Sequence, residues 1–154
     1  MTFEENNDEG FKVLSEKPKE IDQEEFFKFL IKNDSLNLTI KRVGKTFISK
    51  VNKNNEGIKP SRFFIDYVFK VNGNEYQVGI SYNVGVPVDE ETFILTYRMN
   101  LFKILEVVID LERVEKAEFT KKFIEEKLTG LRFKATYGKG SNGGYIIKPI
   151  RKLE

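Results

Sequence analysis

The sequence predicts a mainly β domain with helices, a five-stranded barrel in Greek-key order, and three observations carry that expectation. Apolar and polar residues alternate with period two in five stretches, the main helical region falls between the third and fourth of them, and the first stretch is long enough to bend around an interruption at Val43-Gly44. The chain of 154 residues is the length of one compact domain, and 14 Phe with 6 Tyr supply the large apolar surface that one core needs.

After Pro18, the segment Glu20–Lys32 begins with acids, ends with lysine and places apolar residues at 26, 27, 30 and 31, the pattern of a short amphipathic helix. From Leu36 the period becomes two. Leu36, Leu38 and Ile40 alternate with Asn37, Thr39 and Lys41, and Thr46–Val51 resumes the pattern beyond Gly44, so one long strand with a bulge or bend at Gly44 is expected. A polar loop over 52–61 leads to Arg62–Val71, the clearest alternation in the chain. Asn72-Gly73 then favours a two-residue hairpin, and Glu75–Tyr82 returns as the third strand. Thr92–Thr96 reads as a short extension. Asn100 is placed to cap a helix carrying Leu101, Phe102, Leu105, Val108 and Ile109, and a second helical stretch with Phe119, Phe123, Ile124 and Leu128 stops at Gly130. Leu131–Tyr137 and Tyr145–Arg151 close the chain as strands four and five.

Three strands, a helical insert and two strands, preceded by an N-terminal helix, is the order of the OB-fold. The competing architecture is an open α+β sheet with helices on one face, distinguished by whether the first strand pairs with the fourth. Residues 1–19 are expected to form an acidic, flexible segment and residues 20–154 the single domain.

Composition removes much chemistry. Without Cys, His or Trp there are no disulfides, no thiolate or imidazole metal sites and no nucleophile–histidine pair. The six Ser lie in neither a Ser-x-x-Lys nor a Gly-x-Ser-x-Gly setting, and the acids at Asp89–Glu91, Asp110/Glu112 and Glu125-Glu126 read as solvated surfaces. Gly138-Lys139-Gly140-Ser141-Asn142-Gly143 spells the dinucleotide-binding pattern but leads into a strand instead of a helix, so it reads as a hairpin loop able to close over a ligand. The expectation is a non-enzymatic protein with no cofactor and no metal. Aliphatic runs as short as Val107-Val108-Ile109 suggest no membrane span, and a cytoplasmic protein is expected.

Charge and aromatics are more informative. Residues 1–35 hold 5 Lys against 10 acids, whereas residues 36–154 hold 21 Lys and Arg against 14 acids, so the body of the chain is basic. On the second strand Phe63, Ile65, Tyr67 and Phe69 form an apolar side, and the other side reads Arg62, Phe64, Asp66, Val68, Lys70. An aromatic flanked by Arg62 and Lys70 is what base stacking with phosphate contacts requires, although Phe64 equally suits packing beneath the N-terminal helix. Lys45, Lys50, Lys53 and Lys59 surround the first loop, Arg132, Lys134 and Lys139 follow the fourth strand, and Tyr137 and Tyr145 flank the glycine-rich loop, where they suit either a ligand or a plug in the barrel end.

The segments Tyr97–Leu105, Leu128-Thr129-Gly130-Leu131-Arg132-Phe133 and Gly144–Ile147 resemble small OB-fold single-stranded-DNA-binding proteins of phages and low-GC bacteria. That resemblance implies sequence-independent binding of single-stranded DNA, with RNA also open, in replication or recombination. The rival expectation is a protein–protein interaction module, such as a virus-encoded inhibitor or adaptor, because fold alone does not choose. A homo-oligomer is compatible with either.

Overall fold

The computed structural model describes residues 17–44, 62–84, 88–89 and 91–154. Its elements run β1 (Lys19–Glu20), α1 (Gln23–Asn33), β2 (Leu36–Val43), β3 (Arg62–Val71), β4 (Asn74–Asn83), β5 (Thr92–Thr96), α2 (Asn100–Val108), β6 (Lys116–Thr120), α3 (Lys121–Leu128), β7 (Arg132–Lys139) and β8 (Tyr145–Leu153).

Local chemistry sets the ends of these elements. The Asp22 carboxylate accepts from the Glu25 N–H at 2.8 Å and starts α1, and the Thr120 hydroxyl does the same for α3 through Phe123 at 3.1 Å. Asn72 and Gly73 hold φ of 52° and 82°, the paired positive values of a two-residue hairpin turn whose twist matches the strands it joins. Met99, not Asn100, is the N-cap of α2, and its side chain makes no capping hydrogen bond. The Met99 N–H closes a turn on the Thr96 carbonyl at 3.0 Å and its own carbonyl accepts from Lys103, which starts the helix one residue earlier than expected.

Six strands form one mixed sheet in the order β1-β4-β3-β2-β7-β8, with β1 parallel to β4 and every other pair antiparallel; β5 and β6 form a separate antiparallel pair. The expected five-stranded OB-like barrel is therefore wrong, because the described residues form eight strands and the large sheet is open. The first long strand, β2, does pair with β7 from Leu36 to Thr39. That pairing alone does not close a barrel. Closure would need β4 to meet β8, but the edge of β4 takes β1 at Tyr76 and Gln77, and the Ile21 N–H donates to the Gln77 carbonyl at 2.9 Å.

The apolar side of the sheet has another means of leaving water. Phe26 and Phe29 of α1 meet Phe69, Phe93 of β5 meets Phe63, and α2 buries Leu101, Phe102, Ile104, Leu105 and Val108 while packing against β8. Helices and the small sheet thus cover one face as a second layer, and curling the sheet onto itself becomes unnecessary. β6 went unread in the sequence: Lys116–Thr120 buries only Phe119, and its register with β5 supplies what its pattern lacks. The bulge in β2 also sits elsewhere, at Lys41 between Ile40 and Arg42, and Gly44 stays tied to β3 through its N–H on the Phe64 carbonyl. The expected continuation over 46–51 lies outside the described residues. The first ladder begins at Lys19, the last residue of the segment expected to be flexible.

Candidate nucleic-acid interface

The side of the large sheet away from the helices is uncovered among the described residues. Alternation along β3 buries Phe63, Ile65, Tyr67, Phe69 and Val71 and turns Arg62, Phe64, Asp66, Val68 and Lys70 outward. Phe64 is 38% exposed. It does not pack under α1, whose buried residues Phe26, Phe27 and Leu30 lie on the opposite face with Phe69. Gly44 makes its setting possible, since a Cβ there would stand 3.0 Å from the Phe64 Cβ.

Strand register assembles the rest of this face row by row. Beside Phe64 lie Gly44 and Ser81, whose hydroxyl receives the Arg62 guanidinium at 3.3 Å. The next row is Arg42, Asp66 and Gly79. Arg42 places Nε at 3.0 Å and Nη2 at 2.9 Å from the Asp66 Oδ2, and Gly79 leaves room for that carboxylate, because a Cβ at 79 would lie 3.0 Å from its Oδ1. Thr39 then aligns Val68 on one side with Arg132 on the other, and the Lys41 Nζ reaches over to the Gln77 Oε1 at 3.1 Å. Lys70 faces Glu75, and Asn37, Lys134 and Arg151 continue across the sheet. Thr136 and Lys148 follow, the Lys148 stem lying over Gly138, where a Cβ would push it aside.

The face is strongly cationic. Among the described strand residues that point to this side Asp66 and Glu75 are the acids, and Asp66 is matched to Arg42. Among the described residues Lys70, Lys134, Lys148 and Arg151 have no carboxylate within ion-pair distance, and Arg132 donates only to the Glu154 main-chain oxygen at 3.1 Å. Phe64, Arg62, Lys70, Arg132 and Lys134 are thus brought onto one surface.

Tyr137, Tyr145 and Lys139 are not. They occupy the helix-facing side of the β7–β8 hairpin, where Tyr145 stacks on Phe27 of α1 with centroids 5.8 Å apart, meets Tyr137 edge-on at 6.0 Å and lies 4.4 Å from the Lys139 Nζ. The glycine-rich connection between them is a closed turn: the Gly140 N–H donates to the Gly144 carbonyl at 2.7 Å, and the Asn142 side chain accepts from the Gly144 N–H at 3.0 Å. Lys45, Lys50, Lys53 and Lys59 lie outside the described residues.

Sequence reasoning missed Arg42, Lys148 and Arg151, and parity explains why. Lys148 and Arg151 are an odd number of residues apart, so strict alternation sends them to opposite faces; the irregularity between Lys134 and Ala135 on β7, opposite Ile150, restores Arg151 to the face of Lys148. Arg42 is turned outward by the bulge at Lys41 in the same way.

Two clefts lie away from this surface. One, of about 450 Å³, follows the outer side of α1 beside Lys28 and Phe29. The other, of about 590 Å³, is lined by Tyr97, Arg98, Arg113 and Lys116, and its Arg113 is held by Glu106 at 2.8 Å, so much of its charge is matched within the chain. Among the described residues no group of acidic side chains is arranged to hold a metal ion, and no helix is long and apolar enough to cross a membrane. Compared with known proteins, the chain matches no family model, no curated protein and no solved structure.

Proposed function

We propose that the uncovered sheet face binds single-stranded nucleic acid, with DNA as the first ligand to test, without sequence specificity and without chemistry on the strand. The observation that carries this reading is the presence of one exposed aromatic ring, Phe64, on a face whose Lys70, Lys134, Lys148 and Arg151 have no carboxylate partner among the described residues. A sheet-face aromatic stacks on any base, and the surrounding cations neutralise phosphates. No helix or hairpin projects from this face among the described residues, and such an element is what enters a duplex groove, so the flat surface suits a strand with unstacked bases.

The test is fluorescence anisotropy of a labelled oligo-dT and a matching duplex at low and at physiological salt. Salt-sensitive binding of the single strand is expected, with Phe64→Ala weakening it by about 1–3 kcal/mol. Absent or salt-independent binding would remove the reading.

A protein partner is the second reading, and the outer edge of β4 favours it. β1 covers that edge only at Tyr76 and Gln77, and the following Val78-Gly79-Ile80-Ser81 carries none of the charges or prolines that usually guard an edge strand. Added strand pairing there predicts a protein complex that survives nuclease treatment.

A further inference from the structure

We infer that the strand crosses the sheet diagonally, from Phe64 near the start of β3 to Lys148 on the outer strand β8, and that the bound length is set by that path. The inference rests on the nucleic-acid reading and adds a direction and a length to it.

Unmatched charge is not spread evenly over the face. At the Phe64 end Arg42 is matched by Asp66, Arg62 is held by the Ser81 hydroxyl and β4 contributes no cation, while at the other end of β3 Lys70 has Glu75 directly across from it. Toward the far end of β7 and β8 the balance changes: Lys134 and Arg151 are direct neighbours, Lys148 stands two residues along β8 from Pro149's neighbouring bulge, and no acid shares their rows on β2, β7 or β8. Lys148 is also positioned, since its stem lies along the bare backbone at Gly138. A polyanion anchored by a base on Phe64 therefore gains most by running toward this end, and a path along β4 meets only Glu75.

Register gives the span. Phe64 to Val68 is four residues along β3, Thr39 carries that row across to Arg132, and Arg132 to Thr136 is four more residues in the same direction along β7, with Lys148 opposite Thr136. At about 3.4 Å per residue and about 4.8 Å between strands, the diagonal is about 30 Å. A strand held at the duplex rise of about 3.4 Å would place about nine nucleotides along it, and an extended strand about half as many.

Equilibrium binding of labelled oligo-dT from two to sixteen nucleotides reads this length directly. Affinity should climb steeply to a length between about four and nine nucleotides and then rise only as the number of equivalent registers grows. In Lys148→Gln and Arg151→Gln, which keep the sheet pattern and remove charge, the climb should end at a shorter length, and at nine nucleotides affinity should fall about three- to tenfold with a shallower salt dependence. Lys127→Gln on α3 serves as the control of equal charge change. A climb that continues to sixteen nucleotides, or an end point unmoved in both β8 variants, overturns the diagonal path while leaving single-strand binding intact. Failure of every oligonucleotide to bind overturns the functional reading and the path together.

Discussion

Asp66 shows how one residue sets the strength of a surface. Its carboxylate is largely shielded, it takes both Nε and Nη2 of Arg42, and it depends on the missing side chain at Gly79. Asp66→Asn should release the Arg42 charge and tighten oligo-dT binding about threefold. Because Arg42 is mostly exposed, stability should change by no more than about 1 kcal/mol, which denaturant unfolding will measure. Unchanged affinity would mean that no phosphate passes Arg42. Inside the core, the hydroxyls of Tyr67 and Tyr82 lie 2.6 Å apart, and burial pushes both phenols above the ordinary value near 10. The unfolded chain then loses these protons before the folded one does. Stability from the neutral pair is fully present below about pH 10 and falls as pH rises beyond it. Melting temperature should accordingly drop more steeply between about pH 9 and pH 11 in the native chain than in a Tyr67→Phe, Tyr82→Phe double variant. Parallel declines would contradict the assignment.

At the scale of elements, caps and bulges decide more than strand propensity does. Asp22 satisfies one of the four free N–H groups at the start of α1, so Asp22→Ala should cost about 1 kcal/mol in denaturant unfolding and leave nucleic-acid binding unaltered. The β8 irregularity offers a sharper test. Deleting Ile150 removes the extra residue opposite the Lys134–Ala135 step and leaves Arg151 two residues from Lys148, so a regular ladder keeps both side chains on the uncovered face. Binding by the deletion variant should stay close to that of the native chain, whereas Arg151→Ala should weaken it about three- to tenfold; a loss on deletion as large as that in Arg151→Ala would show that the ladder does not become regular in this way. The hairpin turn at Asn72-Gly73, the stop at Gly130 and the bounds Arg62–Val71 and Thr92–Thr96 were legible in the sequence, because each follows from chemistry within a few residues. The strand at Lys116–Thr120 and the bulges at Lys41 and Ile150 were not, because each exists through a partner strand far along the chain.

For the whole molecule, the same dependence separates a correct list of long strands from an incorrect barrel. The apolar side of a sheet must be covered, and nothing in the alternation of β3 says whether another part of the sheet, a helix or a second sheet will cover it. Here α1, α2 and the β5–β6 pair do so, β1 takes the edge that closure would have used, and the cationic side is left as an open plane. Phe64, Arg62 and Lys70 were legible as one outward set because they share a strand and a parity. Arg132 and Lys134 join them through β2, whereas Tyr137, Tyr145 and Lys139 fall on the helix side with Phe27. By itself the sequence determined what local periodicity and turn chemistry encode: the long strands, the helices, the inner and outer faces of β3, and the absence of thiol and imidazole chemistry. Only the tertiary structure decided that the sheet stays open and which cations share its free face, because strand register, bulges and the layer over the core are set by contacts between residues distant in sequence.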